Sequence, residues 1–207
     1  MKRVRPYGFE ASIVDGLSEG VAASLRAQVI ADCTAAEVTV IDVVPAASTL
    51  VVTHRERDGE LVRRVLGALQ VSSTPANVLR EVLVQIPVRY DGDDLTEVAT
   101  ACSLSIEQVI ALHSNADYQV AFCGFVPGFA YLTGLPKELQ LARRSSPRPR
   151  VAAGSVAIAA EYSAVYPRES PGGWHLIGST TALLWDTHCD PPALLQPGTR
   201  VQFVSVT

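Results

Sequence analysis

The sequence predicts an α+β protein in two parts, an α/β domain over residues 1–88 and a β-barrel over residues 89–207. Three observations predict it. Residues up to 88 alternate strand and helix patterns, Asp91-Gly92-Asp93-Asp94 breaks the alternation, and short apolar runs punctuated by Gly and Pro follow Asp117. A chain of 207 residues has room for one large domain or two small ones.

In the first part, Val4 to Val14 gives a weak strand signal interrupted by Gly8. Ser18 offers an N-cap, and Val21, Leu25, Val29 and Cys33 recur every four residues, one face of a helix. Val38–Val44 and Thr49–Thr53 are β-branched runs on either side of Pro45-Ala46-Ala47, which suits a turn. From Asp58 on, Leu61, Val62, Val65, Leu66 and Leu69 mark a second helix. Ser72-Ser73-Thr74-Pro75 ends it, and Val82–Val88 returns as a strand. The order βαββαβ is ferredoxin-like, with two helices on one face of a four-stranded sheet.

In the second part, Asp93 or Asp94 can cap a helix carrying Leu95, Val98 and Ala99. Ser105 caps another, with Glu107 in its first turn and Ile106, Val109, Ile110 and His113 along it. Strands are expected over Tyr118–Phe122, Ser155–Ala160, Ala164–Tyr166, Trp174–Ser179 and Val201–Val206. Many short strands with frequent turns predict a closed or nearly closed barrel.

Composition narrows the function. Hydrophobic residues make up 48%, and mean hydropathy is +0.21, enough for a real core and too much for a disordered chain. Charged residues are only 18%, which fits either a surface partly covered by another chain or a high Ala and Gly content. With a formal charge of −4 and no Lys/Arg block beyond Arg143–Arg150, a nucleic-acid partner is not expected. The basic N-terminus lacks an apolar segment after it, and no run reaches membrane-span length, so a cytoplasmic protein without a membrane partner is expected. Cys33, Cys102, Cys123 and Cys189 form no CxxC pair, and His54, His113, His175 and His188 show no ligand spacing. Free thiols and no metal site are the expectation.

Three segments carry chemical information. Residues 123–135 alternate glycine, proline and aromatic residues, an irregular path whose large rings must plug a core or line a pocket. Arg143-Arg144-Ser145-Ser146-Pro147-Arg148-Pro149-Arg150 sets four arginines in eight residues, a comb of planar donors suited to a carboxylate, a phosphate or an acidic partner. It leads to Gly154-Ser155, whose backbone N–H groups could face an anion. Ser170-Pro171-Gly172-Gly173-Trp174 is a tight loop with a large ring at its exit. No Gly-x-Ser-x-Gly elbow, Walker A loop or dinucleotide fingerprint is present.

Together these segments resemble the family of the 5-oxoprolinase B subunit, allophanate hydrolase subunit 1 and the Kip sporulation-kinase inhibitor. The resemblance runs through Asp94-Leu95-Thr96-Glu97-Val98-Ala99, Gly124–Leu132, Pro147–Val151, Gly154-Ser155-Val156, Glu169–Trp174, Pro191–Leu195 and Pro197–Val201. It implies a ferredoxin-like domain followed by a cyclophilin-like barrel. It also implies one component of a multi-subunit ATP-dependent amide or lactam hydrolase that opens 5-oxoproline to glutamate and is inactive alone. The implied partners are a homologous second subunit (of the type of the 5-oxoprolinase C subunit or allophanate hydrolase subunit 2) and a LamB/YcsF-type third subunit, with ATP and Mg2+ bound by the complex. The alternatives are a regulator that inhibits a sensor histidine kinase and an allophanate hydrolase subunit. Candidate catalytic residues are His113, Arg144 and Arg148. Candidate substrate- or anion-binding residues are Phe125, Pro127, Gly128 and Phe129, then Arg150, Gly154 and Ser155, then Ser170, Gly172, Gly173 and Trp174. Loss of Arg148 is expected to abolish activity and spare the fold. One stretch departs from the family pattern: Ala157–Ala164 stands where the family carries a glycine-rich run with a glutamine, here replaced by Tyr162.

Overall fold

The computed structural model describes residues 2–18, 21–70 and 83–206. The chain divides into two compact units, Met1–Val78 and Leu79–Thr207.

The first unit opens with a hairpin of β1 (Arg3–Pro6) and β2 (Ala11–Asp15), followed by α1 (Val21–Ala35), β3 (Val40–Pro45), β4 (Leu50–His54) and α2 (Gly59–Ala68). The single weak strand expected over Val4–Val14 is therefore two strands, paired antiparallel from Arg3↔Asp15 to Pro6↔Ser12. The sheet order is β1-β2-β4-β3. Period-two alternation directs Val14, Val43, Leu50 and Val52 to one face. There they pack with Val21, Leu25, Val29 and Cys33 of α1 and Val62 and Leu66 of α2. The predicted helical stripe is thus the buried one. The stop signal at Ser72–Pro75 lies outside the described residues.

One expectation needs correction. The strand assigned to the end of the first sheet is β5 (Leu83–Val88), and it belongs to the second unit. It pairs in parallel with β13 (Arg200–Ser205) at six consecutive positions, from Arg200↔Leu83 to Ser205↔Val88. The place expected for it in the first sheet is taken by β1, so the boundary falls before β5 rather than at residue 88.

Between β5 and β13 the second unit contains α3 (Leu95–Cys102), α4 (Ile106–Ser114), β6 (Tyr118–Cys123), β7 (Ala130–Thr133), β8 (Arg148–Val151), β9 (Ser155–Ala159), β10 (Tyr162–Val165), β11 (Ser170–Gly172) and β12 (His175–Ser179). Seven strands form one sheet in the order β12-β9-β10-β7-β6-β13-β5, and β8 pairs with β11 in a separate ribbon. The long sheet nearly closes on itself: just past β5, Arg89 exchanges backbone hydrogen bonds of 2.9 and 2.7 Å with Ser179 of β12. The closing backbones approach tightly beside Gly178, where a Cβ would lie 2.5 Å from the Arg89 carbonyl oxygen. The α+β class with a barrel is the one the sequence predicts. Strands β7, β8 and β11 are additions to it, and β10 begins two residues earlier than expected.

Helices α3 and α4 contribute Leu95, Val98, Ala99 and Val109 to the barrel core, beside Val88, Leu132, Ile158 and Phe203. Ser105 caps α4 as expected, in a capping box completed by Gln108. Strands β9 and β10 are apolar on both faces. Val156, Ile158 and Val165 point into the barrel, while Ala157, Ala159, Tyr162 and Ala164 join an outer cluster with Phe129, Val151, Tyr166, Trp174 and Leu176. No single described helix is long and apolar enough to cross a membrane.

Candidate functional site

Among the described residues of the second unit, the most connected charged group is Asp94, at the N-terminal edge of α3 and only 2% exposed. Of the two residues expected to cap the helix, Asp93 or Asp94, Asp94 takes the N-cap position, but its side chain makes no capping bond. Instead Oδ1 accepts from Arg148 Nη2 (2.7 Å) and Arg144 Nη1 (2.8 Å). Oδ2 accepts from Arg148 Nη1 (2.9 Å) and the Leu176 backbone N–H (2.7 Å). Burial pushes the Asp94 pKa up, but the Arg148 and Leu176 hydrogen bonds and the two guanidinium charges outweigh it, and the carboxyl lies below its ordinary value. Arg144 also donates to Glu97 Oε2 at 2.8 Å. The two arginines read as catalytic are therefore anchored on a buried carboxylate within the chain.

The rest of the arginine comb divides. Arg150 pairs with Glu169 at 2.7 Å on an exposed surface. Arg143 takes part in no ion pair among the described residues, and its guanidinium carbon lies 5.8 Å from the centroid of the Trp174 ring.

The two aromatic segments meet. The loop after β6 turns through Phe125 at φ +68 and Gly128 at φ +82. It buries the Phe129 ring, while Phe125 and Pro127 are exposed. The Phe129 ring plugs a core, while the Phe125 ring faces out. Phe129 makes edge contacts with Phe125, Tyr131, Tyr166 and Trp174 at centroid distances of 5.1 to 5.7 Å. Phe122 stacks on Tyr131 at 4.3 Å, and both rings pack edgewise on Tyr162. Ser170 and Gly172 belong to β11, where Gly172 lies against the Tyr166 hydroxyl, leaving no room for a Cβ. The Gly173 carbonyl accepts the Arg144 backbone N–H at 2.8 Å, which ties the comb to this loop.

Two expectations fare differently. Gly154 and Ser155 do not present their N–H groups to an anion: Gly154 donates to Tyr166 O at 2.7 Å and Ser155 to Ala152 O at 3.3 Å, so both are spent inside the fold. His113 is fully buried in the barrel and stacks on Phe203 at 4.5 Å. Its Nδ1 pairs with the Tyr90 hydroxyl at 2.8 Å and its Nε2 with Ser163 Oγ at 2.9 Å. Desolvation lowers its pKa to about 3. A neutral imidazole with both nitrogens occupied and no exposed surface is a core residue, remote from acid–base work on a substrate.

The structure thus joins Arg144 and Arg148 through Asp94, and gathers Phe125, Phe129 and Trp174 into one aromatic face. Sequence reasoning passes over Asp94 as a cap, and over Arg143, Phe122 and Tyr131 as members of that face. The available signal was the two-faced apolar character of Ser155–Ala164, which requires a covering layer. A cavity of about 590 Å³ lies elsewhere, along α4, lined by Leu104, Gln108, Leu112, Asn115 and Pro136. Among the described residues, no group of three or more His, Cys, Asp or Glu residues is placed to hold a metal ion.

Known proteins share both the sequence and the fold. The chain is 50% identical over 124 residues to a 5-oxoprolinase B subunit from Escherichia coli O157:H7, and 47% identical over 128 residues to one from Bacillus subtilis (strain 168). These matches cover 58% and 60% of this chain and 57% and 53% of those relatives, little more than half of each. The crystal structure of TTHA0988 matches all of this chain with a TM-score of 0.75 and 37% identity, over 40% of its own length. A conserved uncharacterized protein from Pyrococcus horikoshii matches with a TM-score of 0.59 and 30% identity, over 99% of this chain and 97% of that one. The K. lactis urea amidolyase, at 16% identity and a TM-score of 0.73, shares the fold over 15% of its length. Residues 2–195 match the family described as carboxyltransferase domain, subdomain C and D, and the chain belongs to that family.

Proposed function

We propose that this chain is one component of a multi-subunit 5-oxoprolinase, in the position of the relatives named as its B subunit. The observation that carries the reading is the 44–50% identity to three proteins of that name. In this reading the chain works with a homologous second subunit and a LamB/YcsF-type third subunit in ATP-dependent opening of 5-oxoproline to glutamate. The lactam is a stable amide, so its carbonyl needs activation, and phosphoryl transfer from ATP would supply it.

Most of the groups of this chain read as anion-binding are engaged within the fold. Arg144 and Arg148 share Asp94, Arg144 also pairs with Glu97, and the Gly154 and Ser155 N–H groups are used within the fold. The reading therefore assigns ATP and Mg2+ to the complex, and gives this chain the organic substrate or its partner surface. Co-expression with the second and third subunits, followed by an assay of glutamate release from 5-oxoproline with ATP, tests it. A stable complex that releases no glutamate above the rate without this chain overturns it.

A further inference from the structure

Among the described residues, β3 is the outermost strand on its side of the first sheet, in the order β1-β2-β4-β3. An outer strand ordinarily offers a row of free N–H and C=O groups to any other strand. The register settles which groups these are. The Ala46 N–H donates to the Thr49 carbonyl at 2.9 Å, and the pairing then runs Pro45↔Leu50, Val44↔Val51, Val43↔Val52 and Asp42↔Thr53. Hydrogen-bonded pairs alternate along an antiparallel ladder, so Asp42 and Val44 bond toward β4, while Val43 and Pro45 turn their backbone groups outward. Neither outward position is free to pair. Pro45 has no N–H to give. The Val43 N–H donates to Asp42 Oδ1 at 2.7 Å, and the Val43 carbonyl accepts from Arg26 Nε of α1 at 3.2 Å. Next along the strand, the register slips between Val40 and Asp42, which bends β3 away from a straight partner. The apolar side chains of this strand are nevertheless open to solvent, Ile41 by 61% and Val44 by 43%. An exposed, β-branched edge is otherwise a good template for strand addition.

We infer that Arg26 and Asp42 hold the β3 edge shut against strand addition, and that the partner they exclude is the β3 edge of a second copy of this chain. Two copies meeting edge to edge about a twofold axis pair antiparallel. A pairing centred on Val43 needs the Val43 N–H of each copy to reach the Val43 carbonyl of the other, and those are the two groups already taken. One clasp is local, from the neighbouring side chain, and the other comes from α1, so the edge closes fully only when the helix has docked. The consequence for assembly rests on the proposed function: a chain whose edge is shut to its own kind stays single and available to different subunits.

Sedimentation velocity of the full chain over a concentration series tests this, comparing Asp42→Ala, Arg26→Ala and the double variant with the parent. The double variant is expected to shift to larger species at concentrations where the parent does not change, and each single variant to shift less. Asp42→Asn keeps an acceptor oxygen and should sediment like the parent, which separates the hydrogen bond from the loss of negative charge. Amide exchange at Val43 reads the same contact in dilute, unassociated protein: Asp42→Ala should quicken it by about tenfold, the scale of one net hydrogen bond. On association the Val43 amide should become protected again. A double variant that sediments like the parent at every concentration overturns the inference. So does equal association of Asp42→Asn and Asp42→Ala, or association that leaves the Val43 amide unprotected. If the double variant does not fold, Asp42→Ala and its Val43 exchange decide the matter. Co-expressed with the second subunit, the double variant should give less mixed complex than the parent. If the parent forms no mixed complex, the proposed function fails and the edge result stands; if it does and the variants do not self-associate, the edge inference fails and the function stands.

Discussion

Arg148 grips Asp94 with both of its terminal nitrogens, Nη1 to Oδ2 at 2.9 Å and Nη2 to Oδ1 at 2.7 Å, and so joins β8 to the start of α3. Breaking such a pair from one side leaves a buried charge uncompensated. Asp94→Ala is expected to lower unfolding free energy by about 3 kcal/mol, and Arg148→Ala by about 2 kcal/mol because Arg144 remains. Urea denaturation measures both. The effect also revises the expectation that loss of Arg148 would spare the fold: an inactive Arg148 variant reports on stability before it reports on chemistry.

Acid should weaken the protein in two overlapping windows. His113 has a folded pKa lowered to about 3, below its unfolded value near 6.5. The unfolded chain therefore takes up a proton that the folded one refuses, and stability falls as pH drops from about 6.5 toward 3. Asp94, also lowered, contributes stability that is complete above its unfolded value near 3.9 and lost as pH falls through the folded one. Urea midpoints from pH 8 to pH 2 should show both declines, and His113→Phe should flatten only the upper one.

The tautomer of His113 is fixed by its neighbours. Ser163 Oγ bonds the Ala157 carbonyl at 3.3 Å as donor, so it accepts from His113 Nε2–H, and Nδ1 accepts from the Tyr90 hydroxyl. Imidazole nitrogen shifts should report the Nε2–H form with no titration between pH 8 and 5. A titrating His113 signal in that range would remove it from the core.

Ala160 occupies the left-handed region, φ +49, in the two-residue link between β9 and β10. Its Cβ makes that conformation costly where a glycine is at ease. Ala160→Gly is expected to raise stability by about 0.5 kcal/mol, read as a Tm increase of a few degrees or less.

Gly178→Ala should do the opposite, since its Cβ would meet the Arg89 carbonyl at the closure of the barrel. Loss of soluble, folded protein on expression is the expected outcome, and a variant melting like the parent would show that the seam can open without harm.

Much of this was legible in the sequence because local chemistry and burial agree there. The Val21-Leu25-Val29-Cys33 stripe is buried as written, and Ser105 caps α4 with its own turn. What was not legible depends on pairing at long range. Nothing in Leu83–Val88 says that its neighbour is Arg200–Ser205, more than a hundred residues on. Likewise the acidic start of α3 reads as a cap until Arg144 and Arg148 arrive from another segment to claim Asp94. His113 reads as a helix-face residue until β10 supplies Ser163.

The parallel pairing of β5 with β13 sets a timetable for synthesis. Along its length β5 has β13 as its strand neighbour, and β13 is the last strand described. A nascent chain that has not yet released residue 200 from the ribosome holds β5 with its ladder unformed and β6 bare on one side. Such an edge invites pairing with other chains while it waits. The sheet of the second unit is therefore complete only once β13 is made, and its yield should depend on how quickly β13 reaches β5.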